Sequence, residues 1–335
     1  MIVTLREVAQ KAGVSRSAVS RTFTPGASVS VRMRERVERA AAELGYKPSV
    51  LASALTTGRT KLIGLVSTNF HNPIFLDLFD QFTRGLQERA LRPLLVNLSG
   101  GMTLDAAVAM LRQYSVDGVI LASSTLPADF PQAFRNAGLP VVHCFGRWMQ
   151  HPAVHVVGVD NRACGEMAAN TLLARGYVRM AFLGGPARAT STEDRLAGFR
   201  RVLDRHREIR HAASFAADYS FDAGRAEMQR LLQQGEPAEA YFCGDDILSI
   251  GALSALADAG LRVPQDVGIL GVNDMEMARW PGIRLTTVRQ PISEIVDASI
   301  SRIVDILNDS GSRPTAQLFA CSIVERNTLR PLPAT

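Results

Sequence analysis

The sequence predicts a small all-α helix-turn-helix module over residues 1–46 and, after a linker over residues 47–60, an α/β domain of two doubly wound lobes. Three observations support this prediction. Helix start and stop signals surround a glycine at position 13, and short apolar runs alternate with helical patterns after residue 61. The excess of positive charge lies in the first 60 residues. Each part of the chain therefore has its own signal.

The first helix has a defined start and a defined end. Thr4 and Glu7 have the spacing of a capping box, in which the hydroxyl and the carboxylate satisfy amides at the helix start. Gly13 ends the helix, because a left-handed turn residue is least strained without a β-carbon. The face between these signals is apolar and comprises Leu5, Val8, Ala9 and Ala12.

The second helix begins after the capping residue Ser15 and presents polar side chains outward. Its inward residues are Ala18, Val19 and Phe23, and its outward residues are Arg16, Ser17, Ser20 and Arg21. Arginine pairs bidentately with guanine, and hydroxyls reach base edges or phosphates, so this short helix suits the major groove of DNA. An ordinary three-helix module with a solvated basic face is the alternative interpretation.

A third helix follows Ser30 and completes a strongly basic module. Its outward side chains include Arg32, Arg34, Arg36 and Arg39. Residues 1–60 contain ten Lys or Arg and four Asp or Glu, a net charge of +6, whereas residues 61–335 contain 27 and 28, a net charge of −1. Because neutralising phosphates releases condensed counterions, this asymmetry is typical of a module that binds a polyanion.

Residues 4–55 resemble the DNA-binding headpiece of the lactose-repressor and galactose-repressor (LacI/GalR) family. The shared pattern is long and reads T-L-x-E-V-A-x-x-A-G-V-S-x-x-x-V-S-R. The resemblance implies that Arg16, Ser17 and Arg21 read bases in the major groove. It further implies phosphate or nearby contacts from Thr4, Leu5, Ser15, Ser20, Ser30 and Tyr46.

The resemblance also implies a hinge helix over residues 48–55 that orders on operator binding. Leu55 would wedge into the minor groove, where an apolar side chain unstacks bases and kinks DNA. The family pattern here is Pro-Asn-x-x-Ala-Arg-x-Leu. This chain has Ser49 in place of the asparagine and Ser53 in place of the arginine. We therefore expect weaker contacts from this hinge, whose implied DNA-binding residues are Ser49, Ala52 and Leu55.

The other 275 residues are enough for one or two α/β domains. They contain no apolar run of 18 residues, the amino terminus lacks a secretion signal and the four cysteines are scattered singly, so we expect a cytoplasmic protein with reduced thiols. Seven apolar runs predict buried parallel strands over 62–67, 93–97, 118–122, 140–144, 180–183, 240–243 and 267–271. Six segments predict helices over 74–90, 104–114, 162–175, 195–206, 223–233 and 247–259.

This alternation predicts doubly wound sheets, whose ligands lie beyond the carboxyl ends of the strands. The resemblance to the LacI/GalR family continues to about residue 330 and implies a periplasmic-binding-protein-like effector domain. Its implied lobes are 61–160 with 290–320, and 161–289 with 321–330. The matching segments include Asp117-Gly-Val-Ile, Arg195-Leu-Ala-Gly-Phe199, Gly251-Ala-Leu, Val263-Pro-Gln-Asp-Val267 and Leu285-Thr-Thr-Val-Arg-Gln-Pro291.

Several side chains are candidates for contact with a small effector. The resemblance places Arg195 at a helix start, where its planar fork would reach ligand hydroxyls or carboxylates. It aligns Tyr219 with an aromatic residue that stacks on ligand rings, and Phe70 and Phe75 are suited to form apolar walls. An exposed ion pair for the arginine and core packing for the aromatic residues are the alternatives.

Two effector positions depart together from the family pattern. The family has Asn-Asp where this chain has Asp245-Asp246, and it has Asp where this chain has Asn273. A carboxylate only accepts hydrogen bonds, whereas an amide both donates and accepts them. We therefore hypothesise a polyhydroxyl ligand that is held in an altered orientation. The alternative is that one or both residues cap helices.

A cationic cleft is a further hypothesis, because Arg147, His71 and Arg195 together would suit a sugar acid or a sugar phosphate. Other chemistries find no motif. His151 and His155 are interrupted by a proline and lead into a strand pattern, which disfavours a helical zinc pair. No cofactor is expected, because the chain has no phosphate-binding glycine loop, no G-x-S-x-G elbow and no dinucleotide fingerprint.

These features favour a ligand-gated, DNA-binding transcriptional regulator, and within that class a repressor. A periplasmic sugar receptor would need a signal peptide, and a sugar-modifying enzyme would need catalytic groups. The expected partners are a palindromic operator DNA, a sugar or sugar derivative bound between the lobes, and a second copy of the chain. Because the chain ends in Pro-Leu-Pro-Ala-Thr without a leucine heptad, we expect a homodimer rather than a tetramer.

Overall fold

The computed structural model describes residues 3–24, 26–47, 54, 58–127, 129–309 and 311–333. The chain forms two compact units, Met1–Lys61 and Leu62–Thr335. Three residues of the predicted hinge helix, Ser49, Ala52 and Leu55, lie outside the described residues. In the part of the chain that is described, no helix is long and apolar enough to cross a membrane.

The first unit is a three-helix headpiece made of α1 (Leu5–Ala12), α2 (Arg16–Thr22) and α3 (Val31–Leu44). Each helix contributes a fully buried valine to one small core, and these are Val8, Val19 and Val37. The polar faces of the helices are thereby left outward. The predicted helix-turn-helix module is confirmed.

The signals that predicted the headpiece form the contacts expected of them. The carboxylate of Glu7 accepts hydrogen bonds from the backbone N–H and the hydroxyl of Thr4, at 2.7 and 2.8 Å. Gly13 ends α1 with φ +62°, in the left-handed region that favours glycine. The hydroxyls of Ser15 and Ser30 each accept from the backbone N–H three residues later, at 3.2 and 3.4 Å.

The second unit contains two sheets, and the first is entirely parallel. Its strands are β1 (Leu62–Ser67), β2 (Arg92–Asn97), β3 (Gly118–Ala122), β4 (Val141–Cys144), β5 (His155–Val159) and β11 (Ala316–Phe319). They are ordered β11-β5-β4-β3-β1-β2. The helices of this lobe are α4 (Ile74–Glu88), α5 (Leu104–Gln113), α6 (Phe130–Asn136) and α11 (Ile292–Asn308).

The second sheet has the same order of windings and one antiparallel edge strand. Its strands are β6 (Arg179–Gly184), β7 (Arg210–Phe215), β8 (Ala240–Cys243), β9 (Gly268–Asn273), β10 (Thr286–Arg289) and β12 (Ser322–Val324). They are ordered β12-β10-β9-β8-β6-β7, with β12 antiparallel to β10. Its helices are α7 (Asn161–Leu173), α8 (Thr190–Leu203), α9 (Phe221–Gln233), α10 (Asp246–Asp258) and the short 3₁₀ helix Glu276–Arg279.

The chain passes between the lobes at three crossover segments. These are residue 160 between β5 and α7, residues 290–291 between β10 and α11, and residues 320–321 between β11 and β12. Loops at the carboxyl ends of both sheets are therefore available to one cleft. The two doubly wound lobes are confirmed, whereas the residue boundaries that the sequence assigns to them stay predictions.

Helix α8 differs from its predicted range, because it begins at Thr190 rather than at Arg195. The Thr190-Ser-Thr run before Arg195 therefore belongs to the helix. Its hydroxyls find partners on other elements, since Thr190 donates to the carbonyl oxygen of Ser124 at 2.9 Å and Thr192 lies 2.6 Å from the hydroxyl of Tyr219. Arg195 consequently lies in the second turn of the helix and not at its start.

Candidate functional site

The headpiece presents a polar face on α2. Arg16, Ser17 and Arg21 are exposed, and the Arg21 Nε donates to the backbone oxygen of Ser17 at 3.4 Å. This bond places the two side chains one turn apart on the same face. The hydroxyls of Ser15 and Ser17 lie 3.1 Å apart. The three residues predicted to read bases are therefore available to a groove.

The residues predicted to contact phosphates are divided between the surface and the core. Ser15 and Ser30 are exposed and Ser20 is half-buried. Leu5 and Tyr46 pack against the headpiece core, where the ring of Tyr46 lies 5.9 Å from that of Phe23. The Tyr46 ring therefore packs against the core, and a phosphate contact from its hydroxyl stays a prediction.

Two arginines that were expected to point outward are used inside the headpiece. Arg36 Nη2 donates to the backbone oxygens of Ala12 and Gly13 at 2.5 and 3.3 Å, and Arg34 Nη1 donates to the Thr22 oxygen at 2.9 Å. Both guanidinium groups thus satisfy carbonyls at helix ends, which have no partner within their own helix. Their charge still contributes to the basic headpiece, but these groups tie α3 to α1 and α2.

A cavity lies in the second unit where loops after the strands of both lobes meet. It encloses about 520 Å³ of empty space, part of which opens to solvent. Five of the seven predicted effector residues line it, namely Phe75, Arg195, Tyr219, Asp245 and Asn273. The other lining residues are Thr68, Asn69, Asn72, Ile74, Leu78, Ser123, Ser124, Thr125, Phe145 and Gln290.

Asp245 is the centre of a hydrogen-bond network that joins the lobes. Its Oδ1 accepts from the Ile247 N–H at 2.9 Å and caps α10. Its Oδ2 accepts from the side-chain amides of Asn273 at 2.9 Å and of Asn72 at 3.1 Å, and Asn72 belongs to the other lobe. Gln290 completes the chain by donating to the Asn273 Oδ1 at 2.5 Å. The helix-capping alternative is therefore true of Asp245, yet only one of its oxygens is used for the cap.

Burial decides the protonation behaviour of Asp245. Loss of solvent raises the pKa of its carboxyl to about 6, against the opposing effects of the Ile247 N–H, the Arg195 charge and the two amides. The pKa of the neighbouring Asp246 is raised further, again by burial. Asp246 is turned away from the cavity, since its oxygens accept from Thr287 and from the Met275 N–H. Asp245 is thus the carboxylate that lines the cavity.

Arg195 is buried beside this network, with 3% of its surface exposed. Its Nε donates to the Asn161 side chain at 2.9 Å and its Nη1 donates to the Gly244 oxygen at 2.5 Å. These two bonds fix the plane of the guanidinium, which also hydrogen-bonds the thiol of Cys164. The exposed ion pair that was the alternative for this residue is not what the structure contains.

Tyr219 has a mixed role at the cavity wall. Its hydroxyl lies 2.6 Å from that of Thr192 and 3.2 Å from that of Ser191, and the residue is buried. A β-carbon on Gly185 would lie 2.4 Å from the ring, so a glycine is required behind it. The ring is held by packing on one side and lines the cavity on the other.

Arg147 is placed away from the cavity lining and closes a different contact between the lobes. Its Nε donates to Asp194 at 2.7 Å, and its Nη2 donates to Glu193 at 2.7 Å. Arg162 shares Asp194 at 3.1 Å. Two carboxylates therefore neutralise the guanidinium, and the structure does not bring Arg147 together with Arg195 in the cavity.

The remaining predicted residues are also outside the described lining. Phe70 packs on Phe79, with ring centroids 4.8 Å apart, and His71 is exposed. The cationic cleft of Arg147, His71 and Arg195 is thus not assembled in the cavity. Among the described residues, no group of three or more His, Cys, Asp or Glu side chains is suited to hold a metal ion.

Sequence reasoning missed Asn72 and Gln290. Gln290 lies within the segment Leu285–Pro291 that resembles the family, and that matching segment was the usable signal. Asn72 follows no strand directly and bonds a residue 173 positions away, which no local pattern reveals.

We expect Arg147→Ala to destabilise the second unit by about 1 kcal/mol, because the lost ion pair is partly solvated and Asp194 keeps Arg162. Chemical denaturation at low and high salt measures the effect, which should shrink as salt screens the pair. Arg162→Ala is the matched control, since its side chain is 66% exposed and it does not reach Glu193 in the structure. Equal stability of wild type and Arg147→Ala at low salt would contradict the proposed contribution.

Comparison with known proteins shows which family this chain resembles. A model of the lacI family of bacterial regulatory proteins matches residues 4–49, and one of the periplasmic binding protein-like domain matches residues 169–329. The HTH-type transcriptional regulator CelR of Thermobifida fusca is 31% identical over 334 residues, which covers 97% of this chain and 98% of CelR. The chain belongs to the LacI family. The family and fold class predicted from sequence are confirmed.

A further relative and two solved structures support the assignment to the LacI family. The HTH-type transcriptional repressor PurR of Escherichia coli O139:H28 is 28% identical over 335 residues and covers 98% of this chain and 97% of PurR. The Lac repressor dimer bound to operator and the anti-inducer ONPF matches with a TM-score of 0.86 and 26% identity, covering 98% and 99% of the two chains. A CelR-cellobiose complex matches with a TM-score of 0.72 and 30% identity over 97% and 99%.

These relatives bear on the function that the sequence predicts. Each is a transcriptional regulator or repressor, and its alignment covers nearly the full length of this chain. The chain is therefore a LacI-family, helix-turn-helix transcriptional regulator.

Proposed function

We propose that this LacI-family regulator binds a neutral, polyhydroxyl sugar in the cavity between its lobes. The observation that carries the proposal is the charge balance of the described lining, which contains one guanidinium, Arg195, and one facing carboxylate, Asp245. The other polar lining groups are amides and hydroxyls. An anionic ligand would lie against Asp245, whereas a sugar hydroxyl can donate to that carboxylate and accept from Arg195.

The apolar lining supports the same ligand class. Ile74, Phe75, Leu78 and Phe145 lie on the first-lobe side of the cavity. Sugar rings present C–H faces as well as hydroxyls, so they suit a wall of this kind opposite polar groups. The solved CelR relative is a complex with cellobiose, a neutral disaccharide.

A panel of four probes tests this proposal: cellobiose, glucose, gluconate and glucose 6-phosphate. Each is titrated into the full-length protein while its melting temperature is measured, because a ligand that binds only the native state raises that temperature. We expect a neutral sugar to raise it and the anionic probes to have no effect. Stabilisation by gluconate or glucose 6-phosphate alone would contradict a neutral ligand.

Exchange variants test the roles of Asp245 and Asn273. We propose that these residues contact the effector. Because the family has an amide at position 245 and a carboxylate at position 273, we expect this chain to hold its effector in a different orientation. Asp245→Asn and Asn273→Asp should each weaken binding of the stabilising sugar. The double variant should change its preference among sugar stereoisomers. Unchanged affinity in both single variants and in the double variant would exclude the two residues from the site.

Effector binding should depend on pH through Asp245. A sugar hydroxyl donates best to the ionised carboxylate, whose pKa is about 6 in the free protein. Protonation below that pH removes the charged acceptor, so affinity should fall about tenfold from pH 7.5 to pH 5. Calorimetric titration across this range measures the fall, and Asp245→Asn should abolish it. A fall of equal size in Asp245→Asn would assign the pH dependence to another group.

We further propose that two copies of the chain bind a palindromic operator in the cytoplasm. The solved Lac repressor relative is a dimer on its operator, which supports this assembly. Arg16, Ser17 and Arg21 are proposed to read bases, with phosphate contacts from Thr4, Ser15, Ser20, Ser30 and Tyr46. A native mass of one or of four chains would contradict the dimer.

A further inference from the structure

Two cysteines lie at the crossover segments that join the lobes. Cys164 is in the first turn of α7, directly after the first crossover. Cys321 belongs to the third crossover, between β11 and β12. They are 157 positions apart in sequence and no sequence motif relates them. The fold nevertheless brings these two segments together, because the chain returns between the lobes at the same edge.

The two thiols interact directly. They share a hydrogen bond, and both side chains pack in the hydrophobic core of the second lobe. Cys321 also packs against the core of the first lobe. Cys164 is 1% exposed, whereas Cys321 is partly exposed and gives the pair a side toward solvent. The pair therefore touches both lobes at the point where they are joined.

The surroundings of the pair differ from those of the other cysteines. The hydrogen bond from Cys321 and the nearby Arg195 charge lower the pKa of Cys164, against burial, while the pKa of Cys321 is raised. Burial raises the pKa of Cys144 and of Cys243 to about 12. A thiol of lowered pKa beside a second thiol is the arrangement of reversible redox cysteines, whereas isolated buried thiols are inert.

We propose that Cys164 and Cys321 form a peroxide-sensitive thiol switch that ties the first crossover segment to the third. The Cys164 thiolate attacks one oxygen of hydrogen peroxide, the O–O bond breaks, and the leaving hydroxide takes a proton to become water. The Cys321 thiol then attacks the sulfenic sulfur of Cys164. The S–S bond forms, the S–O bond breaks, and the hydroxyl leaves as a second water with the thiol proton. Two thiols are oxidised by two electrons and one peroxide is reduced.

The disulfide would act on the effector site through the lobes. A bond between two crossover segments would restrict rotation of one lobe against the other, and Arg195 of the cavity lies beside Cys164. This consequence rests on the proposed effector function, whereas formation of the disulfide does not. The oxidised protein is expected to keep its operator affinity and to lose its response to the effector.

Peptide mass mapping of the full-length protein tests the chemistry. After mild peroxide treatment, the number of free thiols should fall from four to two, with the peptides of Cys164 and Cys321 joined. Dithiothreitol should restore all four. Cys164→Ser and Cys321→Ser should each prevent the cross-link, and Cys144 and Cys243 serve as internal controls that stay reduced. Unjoined peptides, or oxidation of Cys144 or Cys243 before the pair, would overturn the proposal.

Operator binding tests the consequence separately. Wild type and Cys321→Ser are treated with peroxide, and their affinity for an operator selected from a random DNA pool is measured with and without the stabilising sugar. The sugar should shift the affinity of the oxidised Cys321→Ser variant and not that of the oxidised wild type. If the cross-link forms and both respond equally, the disulfide is not a switch. If neither reduced protein responds to any sugar, the proposed effector function fails while the cross-link result stands.

Discussion

Replacing Arg21 by alanine should weaken binding to the operator by about 1–3 kcal/mol, which is a roughly 5- to 150-fold loss of affinity, and should relax the sequence preference at one base position. The side chain is exposed on α2 and lies one turn from Ser17 on the same face. A guanidinium in the major groove reads guanine through two hydrogen bonds, and alanine makes neither. Because the Arg21 side chain is exposed, the variant should fold normally.

Selection of bound DNA from a random pool, followed by affinity measurement at fixed salt, tests this prediction for wild type and variant. Tyr46→Phe is the matched control, because it removes a proposed phosphate-binding hydroxyl and keeps the ring that packs on Phe23. This control should weaken all sequences evenly, since phosphate contacts carry no direct base information. If Arg21→Ala also weakens all sequences evenly, Arg21 contacts the backbone and base reading must be assigned elsewhere.

The headpiece was predictable because its signals are local. The contacts that these signals make join residues that are at most four positions apart, so a short stretch of sequence shows both partners. These contacts are the capping box of Thr4 and Glu7, the left-handed turn at Gly13 and the caps made by the serines. The contacts of Arg36 were not predictable in this way. It reaches carbonyls 23 and 24 positions earlier, and an arginine on a helix surface has the same pattern whether it binds DNA or a neighbouring helix end.

Seven strands were predicted, including the edge strand β2, whereas β5 and β10 inside the sheets and the edge strands β7, β11 and β12 were missed. The ranges of β1, β3 and β8 match the structure to the residue, because a strand buried on both faces is a continuous apolar run. The edge strands β7, β11 and β12 are largely exposed or half-buried and have no such run. Their positions are set by pairing with distant strands, so single-sequence periodicity does not reveal them.

Some residues of the candidate site were likewise predictable from the sequence, and others were not. Positions directly after buried strands, such as Asp245, identify residues at the cleft because parallel strands end at one edge. Arg147 also follows a strand, yet its partners are 46 and 47 residues away on another lobe, and they withdraw it from the cavity. A charged residue near a predicted cleft therefore reveals its role only when its counter-charges are known.

The close approach of α7 and α8 gives the largest expected loss of stability. A β-carbon on Gly198 would lie 1.9 Å from the backbone oxygen of Arg162, and one on Gly165 would lie 2.0 Å from the oxygen of Arg195. The two glycines are reciprocal, since each makes room for the backbone of the opposite helix. Helices α9 and α10 use the same device through Gly224 and Gly251.

We expect Gly198→Ala to destabilise the second unit by about 3 kcal/mol, because a backbone oxygen cannot rotate away as a side chain can and the two helices must separate. The melting temperature should fall by roughly 6–12 °C. Gly282→Ala is the matched control, since no atom lies within 4 Å of a β-carbon there and its φ is not positive, and it should be near neutral. Separation of the helices also moves Arg195, which is on α8, away from its hydrogen bond to Asn161 on α7. Sugar binding should therefore weaken in Gly198→Ala and persist in Gly282→Ala, and equal denaturation midpoints for the two variants would refute the proposed packing.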